Sequence, residues 1–270
     1  MVRGVSTARA AAAAFALLCF TTPVTLAQAP YRAPRTPDGK PDLNGIWQVL
    51  NTANWNIEGH GAGPGPLFQL GAQGAVPPGL GVVEGDTLPY LPEAAAKRKE
   101  NFEHRLDLDP EVRCYLPGVP RATYMPYPFQ IVQSADYMFF AYEYAGATRN
   151  INMGPFKKAP IDSWMGWSNG RWEGETLVID VTGLNDQTWF DRAGNFHSDA
   201  LHVVERYTPR SPDTMRYEAT IEDPKTFSRP WKMSMLLYRV QDTNAQVLEF
   251  KCVEFVEELM YGHLRKKTPK

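Results

Sequence analysis

The stretch from Asn185 to His202 holds the residues of this chain best suited to chemistry. Asn185-Asp186-Gln187-Thr188-Trp189-Phe190-Asp191 is followed by His197-Ser198-Asp199 and then by His202. An imidazole titrates at about pH 6.5 and can give and take protons at neutral pH, while a carboxylate on its second nitrogen fixes the tautomer. His197 is therefore the candidate general base or acid, with Asp191 as its orienter and Asp186 and Asp199 as alternatives. His202, with Arg149 or Arg206, would stabilise developing negative charge, and Trp189 and Phe190 would exclude water or stack on a ligand. Trp167 and Asp180 join them as candidate substrate-binding residues. The competing expectation is a turn-rich loop whose Asn, Asp and Ser side chains cap their own backbone.

Other chemistries find less support. His197, His202 and one carboxylate match no metal-ligand spacing, and the chain lacks His-Glu-x-x-His, Cys-x-x-Cys and EF-hand patterns, so no metal and no cofactor is expected. Ser198 has no Gly-x-Ser-x-Gly elbow around it. The glycine clusters near residues 59–85 lack the strand–turn–helix setting of a phosphate-binding loop. With 28 basic against 30 acidic residues and no basic stripe, a nucleic-acid partner is not expected, and Arg265-Lys266-Lys267 reads as a solvated tail.

The elements that must position these residues follow in order. Arg3 and Arg9, the apolar run Ala10–Phe20 and the small residues of Thr25-Leu26-Ala27 read as a cleavable signal peptide over residues 1–27, which places the mature protein in the periplasm or outside the cell. No later stretch reaches about 18 apolar residues, so no integral membrane helix is expected. Residues 28–40 read as a Pro-rich linker. Residues 41–126 hold a first strand around Trp47, a Gly/Pro-rich loop over 59–89, either draped over a barrel mouth or disordered, and a helix over Glu93–Leu106 opened by Pro92. Residues 127–256 read as the β-barrel core and 257–270 as a basic tail.

Within that core, strands are expected at Phe129–Gln133, Tyr137–Tyr144, Thr148–Met153, Thr176–Val181, Ala200–Thr208, Thr214–Glu222, Trp231–Val240 and Gln246–Val253. Asn169-Gly170 predicts a hairpin between Trp164–Ser168 and Arg171–Glu173. So many short strands with hairpin-length links predict an all-β fold, an antiparallel meander closing into a small barrel, because open edges invite aggregation. Gly45-Ile46-Trp47 matches the Gly-x-Trp on the first strand of lipocalins, a likeness of three residues.

Strand parity leaves one alternative open. On Ala200–Thr208, His202 and Arg206 share one face with Val204, and Glu205 lies on the other with Leu201, Val203 and Tyr207. If His202 and Arg206 face inward they form a polar patch, and if they face outward Glu205 becomes a buried carboxylate. Asp180 carries the same ambiguity and, if buried, needs Arg149 or Arg206 as partner. Once the signal peptide is removed, Cys114 and Cys252 remain and are expected to pair, tying the start of the β region to its last strand.

The segments PDLNGIW (41–47), CYLPGVPR (114–121), YPFQIVQ (127–133), GRWEGETLVIDVTGLNDQTWFD (170–191), HSDALHVVERY (197–207) and EDPKTFSRPW (222–231) together resemble a family of exported bacterial β-rich proteins, mostly of unassigned function. The resemblance implies export and a β-rich domain and brings no reaction with it. The chain departs from that pattern at Met153-Gly154-Pro155-Phe156-Lys157, where Asp-Gly-Arg and His-Pro are usual, and at Trp167, where a polar residue is usual. Such departures imply a less polar or more aromatic ligand. Numerous tryptophans, among them Trp164, Trp167, Trp172, Trp189 and Trp231, suit a pocket for flat apolar molecules. The expected function is thus an exported, cofactor-independent enzyme doing acid/base chemistry of lyase, isomerase or dehydratase type on an aromatic or apolar small molecule. The alternatives are a non-catalytic barrel that binds such a molecule and a structural envelope protein.

Overall fold

The computed structural model describes Met1, residues 31–65 and residues 74–264. The expected signal peptide beyond Met1, the start of the linker and the Arg265-Lys266-Lys267 cluster lie outside these residues. Nine strands close into a barrel. They are β1 (Gly45–Val49), β2 (Phe129–Gln133), β3 (Tyr137–Tyr142), β4 (Thr148–Asn152), β5 (Trp167–Glu173), β6 (Thr176–Thr182), β7 (His202–Ser211), β8 (Thr214–Glu222) and β9 (Trp231–Arg239). Each pairs with its neighbour in sequence, and β1 pairs with β9 to close the ring. The barrel thus takes its first strand from outside residues 127–256.

A ring with an odd number of strands cannot alternate direction throughout, so at least one neighbouring pair must be parallel. That pair is β4–β5, with Ile151 opposite Ser168 and Asn152 opposite Asn169, and the expected meander is antiparallel everywhere else. A parallel link needs about a dozen residues or more to return along the sheet, and residues 153–166 make that return. The hairpin expected at Asn169-Gly170 does not exist. Both residues lie inside β5, and the turn falls at Gly174-Glu175, where Glu173 pairs with Thr176. Asn169 is buried and acts as a piece of strand edge: its Oδ1 accepts the Lys157 N–H at 3.0 Å and its Nδ2 donates to the Lys157 carbonyl at 2.9 Å. Gly170 lets β4 approach, since a Cβ there would lie 2.4 Å from Met153 Sδ and 2.7 Å from Ile151 Cγ2.

The registers place tight links at one end of the barrel, after β2, β5 and β7. At the other end lie the long connections 50–128, 183–201 and 223–230, the short link 143–147, and the far end of the 153–166 return. The first of these holds α1 (Pro92–Glu103), α2 (Arg105–Leu108) and α3 (Arg121–Tyr124). Pro92 opens α1, where its missing N–H costs nothing. The Gly/Pro-rich loop pairs His60 with Gly79 and Gly63 with Val76, then runs beside β9, where Glu84 N–H donates to the Lys232 carbonyl at 2.8 Å. Ile57, Tyr124, Phe190, Leu201, Phe227 and Trp231 plug this loop end with apolar and aromatic surface.

No strand forms at Gln246–Val253. With β1 already paired to β9 the ring offers no free edge, and the segment runs irregularly into α4 (Val256–Tyr261). Cys114 and Cys252 lie at disulfide-bonding distance with Cα atoms 5.6 Å apart, so the link fastens this irregular segment rather than a last strand. Among the described residues no helix is long and apolar enough to cross a membrane.

Candidate functional site

Parity on β7 is settled by burial: Val203, Glu205 and Tyr207 face the barrel interior, and His202, Val204 and Arg206 face outward. His202 and Arg206 therefore do not line an interior patch. On the outer wall His202 Nε2 lies 3.0 Å from Asp180 Oδ2 and Nδ1 lies 3.5 Å from Glu222 Oε2. Arg206 pairs with Glu173 at 2.8 Å, so Asp180 is a partner of His202 and not of either arginine. Trp167 also sits on β5 with its face away from the interior Ser168, and its indole N–H is buried with no acceptor among the described residues.

Glu205 is the buried carboxylate of the barrel centre, with no exposed surface. Arg149 Nη2 donates to its Oε2 at 2.5 Å, and the hydroxyls of Tyr207 and Tyr217 each donate to Oε1 at 2.9 Å. Arg149 also reaches Ser168 Oγ at 3.0 Å and the Tyr142 hydroxyl at 3.2 Å. Burial pushes against the charge on Arg149, but Glu205 holds the guanidinium protonated well above its ordinary range. Burial and the Glu205 charge raise both phenols, which keeps them as donors. Every polar group of this cluster points at another member, as a low-dielectric interior requires.

The expected pair of Asp191 and His197 does not form. His197 is buried against Phe190, its Nδ1 lying 2.9 Å from the Ser198 carbonyl and its Nε2 2.6 Å from Thr188 Oγ1. A carbonyl only accepts, so Nδ1 carries the proton and Nε2 accepts from the threonine hydroxyl. Burial lowers the pKa of His197 and keeps the ring neutral. Gly118 makes room for this arrangement: its φ is +72°, and a Cβ would sit 2.5 Å from Thr188 Oγ1.

Asp191 is equally enclosed. It accepts from the backbone N–H groups of Ile57 (2.9 Å), Ala193 (2.9 Å) and Asn195 (3.2 Å) and from Asn195 Nδ2 (2.7 Å), which fixes the loop over the barrel end. Burial raises its pKa to about 6 against the pull of these donors. Trp189 is buried in the same loop, bridged to Phe196. Asp199 holds Lys225 at the surface, and Ser198 donates to Asp223, a hub with no signal in the local sequence.

One open concavity lies beside this loop. A cleft of 430 Å³ is walled by Trp55, Val76, Phe102, Leu106 and Val112, with His60, Arg105, Asp109, Arg192 and Glu257 as its ionisable groups. Beneath it runs a buried ion network. Glu111 takes Arg192 in a fork at 2.8 Å and 2.8 Å, and Arg121 reaches Glu111 at 2.7 Å and Asp109 at 3.2 Å. Burial alone would raise Glu111, but Arg192 and Arg121 bring it below the ordinary carboxylate range, whereas for Asp109 burial prevails and its pKa is raised. Arg192 also lies over the Trp55 ring, 4.7 Å from its centroid. His60 Nδ1 is 3.0 Å from the Glu58 carbonyl, and its Nε2 is buried with no partner among the described residues.

None of the residues singled out in the sequence lines this cleft. The signal that was available for the network is Arg121, a lone charge between the apolar runs Leu116–Pro120 and Ala122–Met125, which implies a buried counter-ion. No protein-family model matches the chain, and no curated protein matches it.

Proposed function

We propose that the chain is an exported protein that binds an aromatic or apolar small molecule, without a cofactor, in the cleft at the loop end of the barrel. The single observation carrying this reading is the contrast between the two polar regions. The Glu205–Arg149 cluster inside the barrel is closed on itself, whereas the cleft presents an open wall of Trp55, Val76, Phe102, Leu106 and Val112 beside its charged groups. A volume of 430 Å³ falls in the range of small-molecule sites. Export rests on the N-terminal sequence and on the Cys114–Cys252 pair, which suits an oxidising compartment.

Non-catalytic binding is favoured over lyase or isomerase chemistry because both nitrogens of His197 and both oxygens of Asp191 are engaged internally. Acid/base catalysis has one supporting observation of its own, the part-exposed His202 beside Asp180. Titrating the mature protein with neutral flat aromatics while following tryptophan fluorescence tests the cleft. Saturable quenching lost in Trp55→Phe and weakened in Phe102→Ala is expected. Absence of quenching across the panel, or quenching untouched by both changes, would overturn the reading. Turnover of any such compound that vanishes in His202→Ala would establish the catalytic reading instead.

A further inference from the structure

The cleft reading above leaves the polar end of the ligand undefined, and the two arginines in the cleft wall differ in a way that bears on it. Arg192 is fully committed, forked onto Glu111 and 3.5 Å from Glu257. Arg105 has no acid partner among the described residues. Its guanidinium lies over the Phe102 ring, 4.3 Å from the centroid, and Nη1 donates to the Phe102 carbonyl at 2.7 Å. The other N–H groups of this planar fork are unclaimed by the described residues, and a guanidinium presents five donors.

The acids nearby are already taken. Asp109 and Glu111 are held by Arg121 and Arg192, and Glu257 faces Arg192. Stacking on Phe102 fixes the plane of Arg105 and strips part of its hydration, so its donors are directed without being neutralised. Partial burial accordingly lowers its pKa, with no acid acting in the other direction. A half-desolvated cation whose neighbouring acids are already paired is best completed by an anion whose geometry matches two parallel N–H groups.

Resting on the cleft reading, we infer that the ligand is an aromatic carboxylic acid, its carboxylate forked onto Arg105 and its ring against the apolar wall of Trp55, Val76 and Leu106. Arg105 is then the specificity-determining residue of the site. A fork to a carboxylate is stronger than a neutral hydrogen bond and selects acids over isosteric alcohols.

Calorimetric titration of the mature protein with 2-naphthoate and with 2-naphthalenemethanol, which share the ring and differ in charge, tests this directly. The wild type is expected to prefer the acid by about 10–100-fold, the range of a charge-assisted pair. Arg105→Met should abolish that preference, affinity for the acid falling by about 10–100-fold with the loss of the fork. Arg105→Lys, which keeps the charge but not the fork, should restore only part of it. Equal binding of the two compounds by the wild type, or a preference that survives in Arg105→Met, would overturn the inference and leave the cleft reading standing. Failure of both compounds to bind the wild type would overturn the two together.

Discussion

Replacing Glu205 by glutamine keeps the volume of the side chain and removes the charge at the centre of the barrel. Arg149 then remains fully buried with no counter-ion, and Ser168 and Tyr142 supply only neutral partners. An amide offers one carbonyl oxygen where the carboxylate met three donors, Arg149, Tyr207 and Tyr217. Its N–H₂ must face the side that lost an acceptor. Breaking one partner out of a buried ion pair costs about 3–5 kcal/mol, a fifth or more of the stability of an ordinary domain, which is about 5–15 kcal/mol. With a urea slope of about 2–3 kcal/mol/M the midpoint should fall by about 1–2.5 M. Arg149→Met should cost a similar amount, since it strands the carboxylate. The double variant Arg149→Met/Glu205→Gln should cost less than the sum by about 2–3 kcal/mol, because each change removes the reason the other is harmful. Urea unfolding at pH 7, followed in parallel by tryptophan fluorescence and far-ultraviolet circular dichroism with the disulfide intact, measures all four proteins. A Glu205→Gln cost below about 1 kcal/mol, or strict additivity in the double variant, would refute the assignment of the pair to the barrel centre.

Asp191 has a folded pKa of about 6, above its ordinary value near 3.9, so it takes up a proton on folding between those limits and its contribution to stability is lost as pH rises through about 6. Relative to wild type, Asp191→Asn should therefore show unfolding free energy that climbs more steeply with pH over about 4–6, and an unchanged slope there would contradict its burial. His197 has the opposite sign: its folded pKa lies below about 6.5, so its stability is present above that pH and lost on acidification, and His197→Gln should flatten acid destabilisation below pH 6. Cys252→Ser opens a long covalent loop worth about 5 kcal/mol in the chain-entropy model. Because its partner segment outside the barrel is irregular, the expected result is tryptic cleavage at Lys251 with a barrel midpoint lowered by much less than that amount. Gly170→Ala drives a methyl into Ile151 and Met153 and should cost about 1–3 kcal/mol, a neutral outcome speaking against the parallel β4–β5 contact.

Strands with one wet face were legible because alternation is a local record of a two-sided environment. Thr214–Glu222 ends where the pattern does, and on β7 the same alternation reduced the problem to two states, one of which required a buried Glu205. The errors arose where a local signal met a constraint of closure. Asn-Gly is a turn dipeptide when the chain is free to reverse, yet here an odd-membered ring demanded a parallel partner for β4, and the same two residues serve close approach and edge pairing within a strand. Gln246–Val253 has the apolar content of a strand but no edge left to join. His197 and Asp191 carry the residue types of a catalytic pair, and which group each one meets depends on Gly118, Thr188 and Ile57, all remote in sequence.

The cleft escaped sequence reasoning for a related cause. Its walls come from residues 55–64, Val76, residues 102–112 and 192–193 and Glu257, stretches that share no periodicity and no motif. They meet because the strand order forces them to: tight links occupy one end of the ring, and the parallel return of residues 153–166 delivers β5 to the same end as the long connections. Asp191, which stands out in the sequence, fixes the loop that holds that convergence, and the Glu111–Arg121–Arg192 network holds the floor. A residue that recognises a ligand has the opposite signature, a polar group that the fold leaves unanswered. Arg105 has it, while Glu205, Asp191 and His197 do not.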